Sequence, residues 1–400
     1  MVKKHNEKKF IFNLLYIKCV CVFIYKMLYK FDNHKKVDDV LIFEISRKNN
    51  MIIIKEIGKG GYSKIFEVSK NSYIFASKIQ ILKKSDSTEK KNLIEKEMDL
   101  IVKLHHYNII KTLATYKNEI SLKIKKKITK NKKSKIVNET ETYLTYTYIL
   151  EKGSFDLNNF MYYFRNGYLL KQKNNNLKIK YFNNLNQILL FNFIQQVLKG
   201  IYYLKLMNYI TFDLKPENVI LNSNLIIKLI DFTLTGKITE KFNLKSFKST
   251  FSIMGPEYYD KSIVLDENLE KIETFSLGAI IYFLITNKNI YDNKFKYDEN
   301  FDQNKNIEML ENSIKNLKEN KNYDEKLINF TEKCLNKKIE KRFSINECLQ
   351  QEFLYEKDNK YNEIMNDNYK ESSKIFTEFQ KNDFLFKKKK KKFIFKKIKN

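Results

Sequence analysis

Proline, glycine and tryptophan are scarce in this chain of 400 residues, which has two prolines, nine glycines and no tryptophan. Glycine reaches backbone angles that other residues avoid, and proline fixes a turn, so these rare residues mark backbone geometry that is hard to replace. Lys and Asn are abundant, but this composition resembles the result of a coding bias. The number of Lys and Asn residues therefore does not by itself indicate a function. The prolines are Pro216 and Pro256, and the glycines are Gly58, Gly60, Gly61, Gly153, Gly167, Gly200, Gly236, Gly255 and Gly278.

Cysteine and histidine are also few, with four residues of each type. The cysteines at 19, 21, 334 and 348 form no Cys-x-x-Cys pair, which argues against a zinc site. We interpret the cysteines as free thiols in a reducing compartment, so we expect a cytoplasmic or nuclear protein.

A long hydrophobic run is absent, but a short one occupies residues 10–25 after a basic start. Lys18 interrupts this run, which falls short of the roughly 20 apolar residues that a spanning helix needs. No small-residue cleavage site follows it. We favour a strand or helix packed on the domain, with a membrane segment as the alternative.

Positive charge is concentrated in three segments that together carry +24 of the net charge of +28. Residues 1–36 carry +7, residues 117–135 carry +8 and residues 387–400 carry +9. These segments could contact nucleic acid or an anionic membrane, and the basic tail could alternatively be a nuclear signal. Solvated, disordered charge is the alternative that we favour from the sequence alone.

Strands dominate the first part of the predicted domain. Residues 51–57, 65–69 and 73–80 each favour a strand, and Lys70-Asn71-Ser72 forms a turn between the last two. Further strands are expected at 110–124 and 141–150, around a lysine-rich insert within 117–140.

A helix is predicted at 88–104, where Leu93, Leu100, Ile101 and Leu104 recur at helical spacing. Glu97 falls on the same inward stripe. A carboxylate that faces a core is costly unless it is paired, so Glu97 needs a cation nearby.

Helices dominate the second part, after a short helix at 154–161 and a loop insertion at 165–185. The chain is then mostly helical to about residue 355. A long helix at 186–207 carries one apolar face, which consists of Leu190, Ile194, Val197, Ile201 and Leu204.

A glycine-rich run, Ile57-Gly58-Lys59-Gly60-Gly61-Tyr62-Ser63-Lys64-Ile65, lies between the first two strands. Glycines there let backbone N–H groups approach phosphate oxygens, although a simple hairpin turn is the alternative. Lys78 follows in Ala76-Ser77-Lys78, and a Lys78–Glu97 pair would aim its ammonium at phosphates.

The segment Asp213-Leu214-Lys215-Pro216-Glu217-Asn218 is followed by two short strands and by Asp231-Phe232-Thr233. Asp213 can orient a hydroxyl and accept its proton, and Lys215 can neutralise charge on a transferring phosphoryl group. Asn218 and Asp231 can hold Mg²⁺ between phosphate oxygens.

These motifs, in this order, resemble the eukaryotic protein kinase superfamily over about residues 51–354, ending with Gly255-Pro256-Glu257. The resemblance implies an α+β, bilobal fold with a small antiparallel β-sheet and one main helix in the N-lobe, and a mostly helical C-lobe. It places the N-lobe at 51–150, a hinge near 151–153 and the C-lobe at 154–354. Residues 1–50 and 355–400 are then basic extensions.

The resemblance also implies further site residues. Backbone groups of Glu151, Lys152 and Gly153 would bind adenine, and Asp156 would reach the ribose or cap a helix. Glu257 would pair with Arg342, and Glu273 would begin the family's buried central helix. ATP-binding residues are Ile57, Gly58, Lys59, Gly60, Gly61, Ile65, Ala76, Lys78, Glu151, Gly153 and Asp156.

Lys215 and Thr250 match the serine/threonine branch of the family. The resemblance therefore implies Mg-assisted transfer from ATP to Ser or Thr hydroxyls of a protein substrate. The sequence indicates neither the substrate nor the oligomeric state.

Three positions depart from the family pattern. Thr211 and Phe212 replace the usual His and Arg, and Thr233 replaces a glycine. Because Phe212 cannot bind a phosphate, our hypothesis is that activity does not depend on phosphorylation of residues 234–250. The alternative function is a pseudokinase scaffold that binds nucleotide or partners.

Overall fold

A computed structural model describes residues 37–60, 63–130, 133–165, 187–222, 224–240, 253–258, 269–291 and 303–355. The chain divides into two compact units. Of the described residues, the first unit contains those up to Ser85 and those within Tyr116–Thr147, and the second contains those within Asp86–Thr115 and those from Tyr148. Several predictions lie outside the described residues, namely those for the run 10–25, Gly61, most of the loop 165–185, Thr250 and the tail from 356.

Most residues of a five-stranded sheet, in the order β1-β2-β3-β5-β4, belong to the first unit. The pairs β1–β2 and β2–β3 are antiparallel, as predicted. The strands are β1 (Ile52–Lys59), β2 (Ser63–Lys70), β3 (Tyr73–Lys83), β4 (Thr112–Lys130) and β5 (Lys133–Leu150).

A two-residue turn joins β2 to β3, and Lys70 pairs with Tyr73 across it. Asn71 and Ser72 both have positive φ, at 50° and 71°. Two consecutive left-handed residues are typical of the primed hairpin turn, whose twist matches that of the strands. The predicted turn is therefore confirmed.

The strands β4 and β5 are longer than the sequence indicated. We expected a break from 125 to 140, but β4 continues to Lys130 and β5 begins at Lys133. That prediction of a break is wrong. The β-branched residues Ile124, Ile128 and Thr129 are interspersed among the lysines, and β-branched residues favour the extended backbone.

Helix α1 (Val37–Lys48) lies within the segment that sequence analysis assigned to the basic extension. Leu41 and Ile45, one turn apart, are fully buried. Asp38 accepts a 2.8 Å hydrogen bond from Lys64 of β2. The folded part therefore begins before Met51.

Helix α2 (Thr88–Ile101) begins the second unit, where Ser87 caps it by accepting from the Lys90 N–H. Its buried residues are Ile94, Glu97, Leu100 and Ile101. The prediction that Leu93 lies on the inward stripe is wrong, because Leu93 is 46% exposed and its neighbour Ile94 takes the buried position. Glu97 is buried as predicted.

The rest of the second unit is mostly helical, which agrees with the predicted fold class. The apolar face predicted for α4 (Gln187–Leu206) is fully buried. Helix α5 (Lys271–Thr286) is buried from Ile272 to Ile285. The helices are α3 (Leu157–Arg165), α4 (Gln187–Leu206), α5 (Lys271–Thr286), α6 (Gln303–Lys318), α7 (Glu325–Cys334) and α8 (Ile345–Leu349).

Short strands hold the loops that carry the polar motifs. One sheet contains β6 (Phe155–Asp156), β8 (Val219–Leu221) and β9 (Ile227–Leu229), and another pairs β7 (Tyr209–Ile210) with β10 (Gly236–Lys237). Within the described ranges, no helix has the length and hydropathy needed to cross a membrane.

Candidate functional site

The loop between β7 and β8 brings three predicted catalytic and metal-binding residues together. The Lys215 ammonium lies 2.6 Å from the Asp213 carboxylate. The Asn218 side chain donates to the same carboxylate at 3.0 Å and to the Asp213 backbone carbonyl at 2.9 Å. Pro216–Asn218 forms a single 3₁₀ turn, so the local backbone fixes this arrangement.

Asp231 follows β9 and has a left-handed backbone, with φ at 64°. Asp tolerates this region better than most residues, and such backbone geometry is concentrated at functional sites. The Ile230 N–H donates to the Asn218 carbonyl at 2.9 Å, which joins the end of β9 to the Asp213 loop. The two predicted metal-binding residues therefore lie on hydrogen-bonded segments.

Thr233 contacts Asp231 directly, since its hydroxyl donates to the Asp231 carboxylate at 2.6 Å. Sequence analysis treated Thr233 only as the loss of a glycine. A hydroxyl two residues after an aspartate is the local signal that could have predicted this bond.

The donor atoms of Asn218 and Asp231 suit Mg²⁺. The amide nitrogen of Asn218 already donates to Asp213, so its oxygen is the atom that would bind a cation. Mg²⁺ prefers oxygen ligands and is usually held by one or two carboxylates together with substrate phosphates. The described part of the chain has no group of three or more His, Cys, Asp or Glu placed to hold a metal.

Glu273, in the first turn of α5, anchors the Asp213 loop. Its carboxylate accepts a 2.5 Å hydrogen bond from the backbone N–H of Thr211, across 62 residues. Burial raises the pKa of Glu273 to about 7, although the bond from Thr211 opposes this shift. Sequence analysis placed Glu273 at the start of the helix but missed this contact.

Phe212 lies in an apolar cluster and is 2% exposed. Its φ is 56°, and its backbone carbonyl accepts from the Tyr258 hydroxyl at 3.4 Å. Sequence analysis considered only the loss of an arginine here and missed the packing. The buried cluster contains Ile210, Phe212, Met254, Tyr258, Leu269 and Ile272, with Leu234 and Ile238 packed against it.

Glu257 and Arg342 form the predicted ion pair, at 2.8 and 2.9 Å, with both side chains fully buried. Arg342 also donates to the carbonyls of Lys271 and Asn336, and its guanidinium lies over the Phe275 ring. A buried ion pair needs such additional hydrogen bonds. Removing one partner would leave the other charge buried and unpaired, which lowers the free energy of unfolding by about 3–5 kcal/mol. The pair ties residues 256–258 to the helical core.

The predicted hinge residues contact neighbours within the second unit. The Glu151 carboxylate accepts from the Lys111 N–H at 2.7 Å and lies 3.0 Å from the Lys228 ammonium. A Cβ added at Gly153 would lie 2.4 Å from Cδ1 of Ile220, so a larger residue there would require the Ile220 side chain to move.

Asp156 directly precedes α3, and its carboxylate accepts from the Asn159 backbone N–H at 2.7 Å and from the Asn159 side chain. This is the geometry of a helix N-cap. Of the two alternatives for Asp156, the cap is therefore seen in the structure, and ribose binding stays a prediction.

The glycine-rich run forms the β1–β2 hairpin of the first unit. Gly58 pairs with Ile65, and the Gly60 N–H donates to the Ser63 carbonyl at 2.8 Å. The side chains of Ile57 and Lys59 are exposed. The hairpin is therefore formed as expected, and its binding of phosphate stays a prediction.

Lys78 lies on β3 opposite Ile65 and is 6% exposed, and Ala76 on the same strand is also buried. Glu97 lies on α2 of the second unit, where its carboxylate accepts from the Tyr148 hydroxyl at 3.3 Å. The predicted pairing of Lys78 with Glu97 stays a prediction.

Comparison with known proteins identifies the family of this chain. The family model described as "Protein kinase domain" matches residues 51–354. The chain is 26% identical to MAP3K epsilon protein kinase 2 of Arabidopsis thaliana over 242 residues, which are 60% of this chain and 14% of that protein. It is 24% identical to an Aurora kinase of Candida glabrata over 250 residues, which are 60% of this chain and 57% of the relative.

A probable serine/threonine-protein kinase of Dictyostelium discoideum is 26% identical over 233 residues, which are 58% of this chain and 29% of that protein. The matched part thus spans between 14% and 57% of these three relatives. Because the family model covers the whole segment from the glycine-rich hairpin to the last described turn, this chain belongs to the protein kinase family.

Proposed function

We propose that this chain is an active serine/threonine kinase that transfers the γ-phosphoryl group of ATP to protein hydroxyls. The observation that carries the proposal is the contact of Asp213 with Lys215 and Asn218, joined through Ile230 to Asp231. The serine/threonine branch is supported by Lys215 and by the name of the Dictyostelium discoideum relative, a probable serine/threonine-protein kinase.

Each residue of the site has a chemical task in this proposal. Asp213 accepts the proton of the substrate hydroxyl. The hydroxyl oxygen bonds to the γ-phosphorus as the bond between that phosphorus and the leaving ADP breaks. Lys215 offsets charge on the transferring group. Asn218 and Asp231 would hold Mg²⁺, which neutralises charge on the phosphate oxygens when it is bound.

The test is incubation of the full chain with Mg-ATP and a generic basic protein, followed by phospho-amino-acid analysis. We expect phosphoserine or phosphothreonine, and a rate about 10²- to 10⁴-fold lower in Asp213→Asn, because that variant lacks the proton acceptor. Asp231→Asn serves as a second inactive control. Phosphotyrosine alone would contradict the serine/threonine assignment.

A second candidate is a pseudokinase that binds nucleotide or partners without transfer. The hydrogen bond from the Thr233 hydroxyl to the Asp231 carboxylate favours this second candidate, because the hydroxyl competes with Mg²⁺ for a carboxylate oxygen. Nucleotide binding with no phosphate transfer by the wild type would support this candidate over the first.

We further propose a reducing compartment, the cytoplasm or the nucleus, as its location. Cys334 and Cys348 are buried free thiols whose sulfurs lie 3.8 Å apart. Thiols that lie this close without a disulfide suit such a compartment. Localisation of a tagged full chain in cells tests this.

A further inference from the structure

Helix α1 (Val37–Lys48) lies before residue 51, where the match to the family model begins, so membership of the family assigns it no role. It belongs to the first unit together with β1, β2 and β3. Its two ends contact the glycine-rich hairpin, which is the β1–β2 pair closed by the hydrogen bond from the Gly60 N–H to the Ser63 carbonyl. The role of α1 therefore follows from its own contacts.

The C-terminal end of α1 is joined directly to β1. The Met51 N–H donates to the Ser46 carbonyl at 3.1 Å, and the Asn50 N–H donates to the carbonyl of Arg47 at 3.3 Å. Asn50 has a φ of 48°, so these bonds form a Schellman motif, a common helix end with one left-handed residue. The Ser46 hydroxyl also donates to the Met51 carbonyl at 2.6 Å, and β1 begins at the next residue, Ile52. The direction of α1 is thus fixed relative to the first strand of the hairpin.

Helix α1 also contacts both ends of β2. The Lys64 ammonium donates to the Asp38 carboxylate at 2.8 Å, and the Lys70 ammonium donates to the backbone carbonyl of Asn49, which directly follows the helix. Lys64 and Lys70 are an even number of positions apart, so they share one face of the sheet, and they are about 20 Å apart along the strand. Asp38 and Asn49 are about 17 Å apart along the helix axis. Because these lengths are similar, α1 lies along β2, from the tip of the hairpin to its base.

The face of β2 beneath α1 is apolar. Phe66 and Val68 lie between the two lysines on this face and are 6% and 0% exposed. Leu41 and Ile45 of α1 are fully buried. Burial of these apolar side chains, together with the polar contacts at both ends, attaches the helix to the sheet.

The predicted nucleotide-binding residues of the first unit lie on the other face of the sheet. Ile65 pairs with Lys78 across β2 and β3, and residues that lie directly opposite each other share a face. Ala76 shares that face because it is two positions from Lys78 on the same strand. Helix α1 therefore lies behind the glycine-rich hairpin, rather than over the face on which we expect ATP.

We propose that α1 is a positioning element that holds the glycine-rich hairpin in the conformation that binds ATP, and that Asp38 anchors the tip of the hairpin through Lys64. This rests on the proposed function, because that function makes ATP the ligand of the hairpin. Lys64 directly follows Ser63, whose carbonyl closes the turn by accepting from the Gly60 N–H. A hairpin that is held in place before the ligand arrives loses less conformational freedom on binding. Loosening α1 should therefore weaken the binding of ATP more than it slows the transfer step.

The test uses charge reversal in the full chain. Asp38→Lys places like charges side by side at Lys64, and the double variant Asp38→Lys/Lys64→Asp restores the attraction with the signs exchanged. The matched control, Glu44→Lys, makes the same charge change on α1 at a residue that pairs with Arg47 of the same helix at 2.8 Å. A second variant, Leu41→Ala, loosens the whole helix without a change of charge. Thermal melting of each variant verifies that it folds.

Two measurements separate the role of α1 from the kinase activity. The first is the Kd of a fluorescent ATP analogue with Mg²⁺, compared with KM for ATP and kcat. The second is hydrogen exchange of the backbone amides of β1 and β2 without nucleotide. We expect Asp38→Lys to raise Kd and KM about two- to fivefold, which is what a partly exposed ion pair can supply. It should change kcat little and speed exchange in the hairpin. The double variant should reverse these effects, Leu41→Ala should enlarge them, and Glu44→Lys should leave both measurements near those of the wild type.

Three outcomes would overturn the proposal. They are unchanged nucleotide affinity and hairpin exchange in both Asp38→Lys and Leu41→Ala, equal effects of Asp38→Lys and Glu44→Lys, and a fall in kcat with KM unchanged. Failure of the wild type to bind nucleotide would instead refute the proposed function. Faster hairpin exchange in Asp38→Lys, reversed in the double variant, would in that case still support the anchoring of the hairpin by α1.

Discussion

Glu273 places a carboxylate inside the helical core, where its hydrogen bond to Thr211 holds the Asp213 loop. Burial is the largest cause of its raised pKa, and the neighbouring Glu270 raises it further. The folded protein thus binds a proton at Glu273 near pH 7, whereas an unfolded chain would release it near pH 4.5. This residue links stability to pH.

We expect Glu273 to make the free energy of unfolding decrease as pH rises from about 4.5 to about 7, and to have no further effect above that. Between those values the folded state holds more protons than the unfolded state, with a limiting slope of about 1.4 kcal/mol per pH unit. Glu273→Gln keeps an acceptor for Thr211 and removes the titration. Urea unfolding of both proteins between pH 5 and 8 tests this, and parallel pH profiles would contradict it.

At the scale of elements, the Phe212 cluster joins the loop after β7, the segment after Asp231 and the first turn of α5. In the family pattern an arginine at this position binds a phosphate on the activation segment. Here apolar packing occupies that position. The structure thus gives a physical basis for our hypothesis that no such phosphate is needed.

If the proposed activity holds, phosphatase treatment should leave the rate of the wild type within about twofold. Phe212→Arg should destabilise the protein by several kcal/mol, because it buries a charge in an apolar cluster. Phe212→Leu should cost less, about 1–2 kcal/mol, because the volume is nearly kept. Steady-state rates and melting temperatures measure these effects. A large loss of rate on dephosphorylation would refute the hypothesis.

At the scale of the whole molecule, binding of nucleotide should couple to stability. A ligand that binds only the folded state at 100 times its Kd adds about 2.7 kcal/mol. We expect a non-hydrolysable ATP analogue with Mg²⁺ to raise the melting temperature by several degrees. Asp231→Asn should remove the part of the shift that requires Mg²⁺, and a Mg²⁺-independent shift in the wild type would contradict the assigned metal ligand.

Sequence patterns predicted local structure well where one periodicity dominated, and less well elsewhere. The buried face of α4 was predicted correctly, although Leu189, Phe193 and Leu198 are buried as well, so the apolar face is wider than predicted. Leu93 was assigned to the core in place of Ile94, since two adjacent apolar residues leave the helix phase ambiguous by one position. The predicted break after residue 124 was wrong because a lysine-rich stretch can be a strand when β-branched residues, here Ile124, Ile128 and Thr129, are interspersed among the charges.

The sequence alone determined which residues are candidates for the proposed phosphoryl transfer, because that chemistry requires particular residue types a few positions apart, as in Asp213–Asn218. Tertiary structure decided which distant residues support them. The Thr211–Glu273 bond spans 62 residues, and the Glu257–Arg342 pair, inferred earlier only from the family resemblance, spans 85. The spacing of residues along the sequence does not predict such partners. A buried polar group forms its hydrogen bond with whichever donor or acceptor the folded core places beside it.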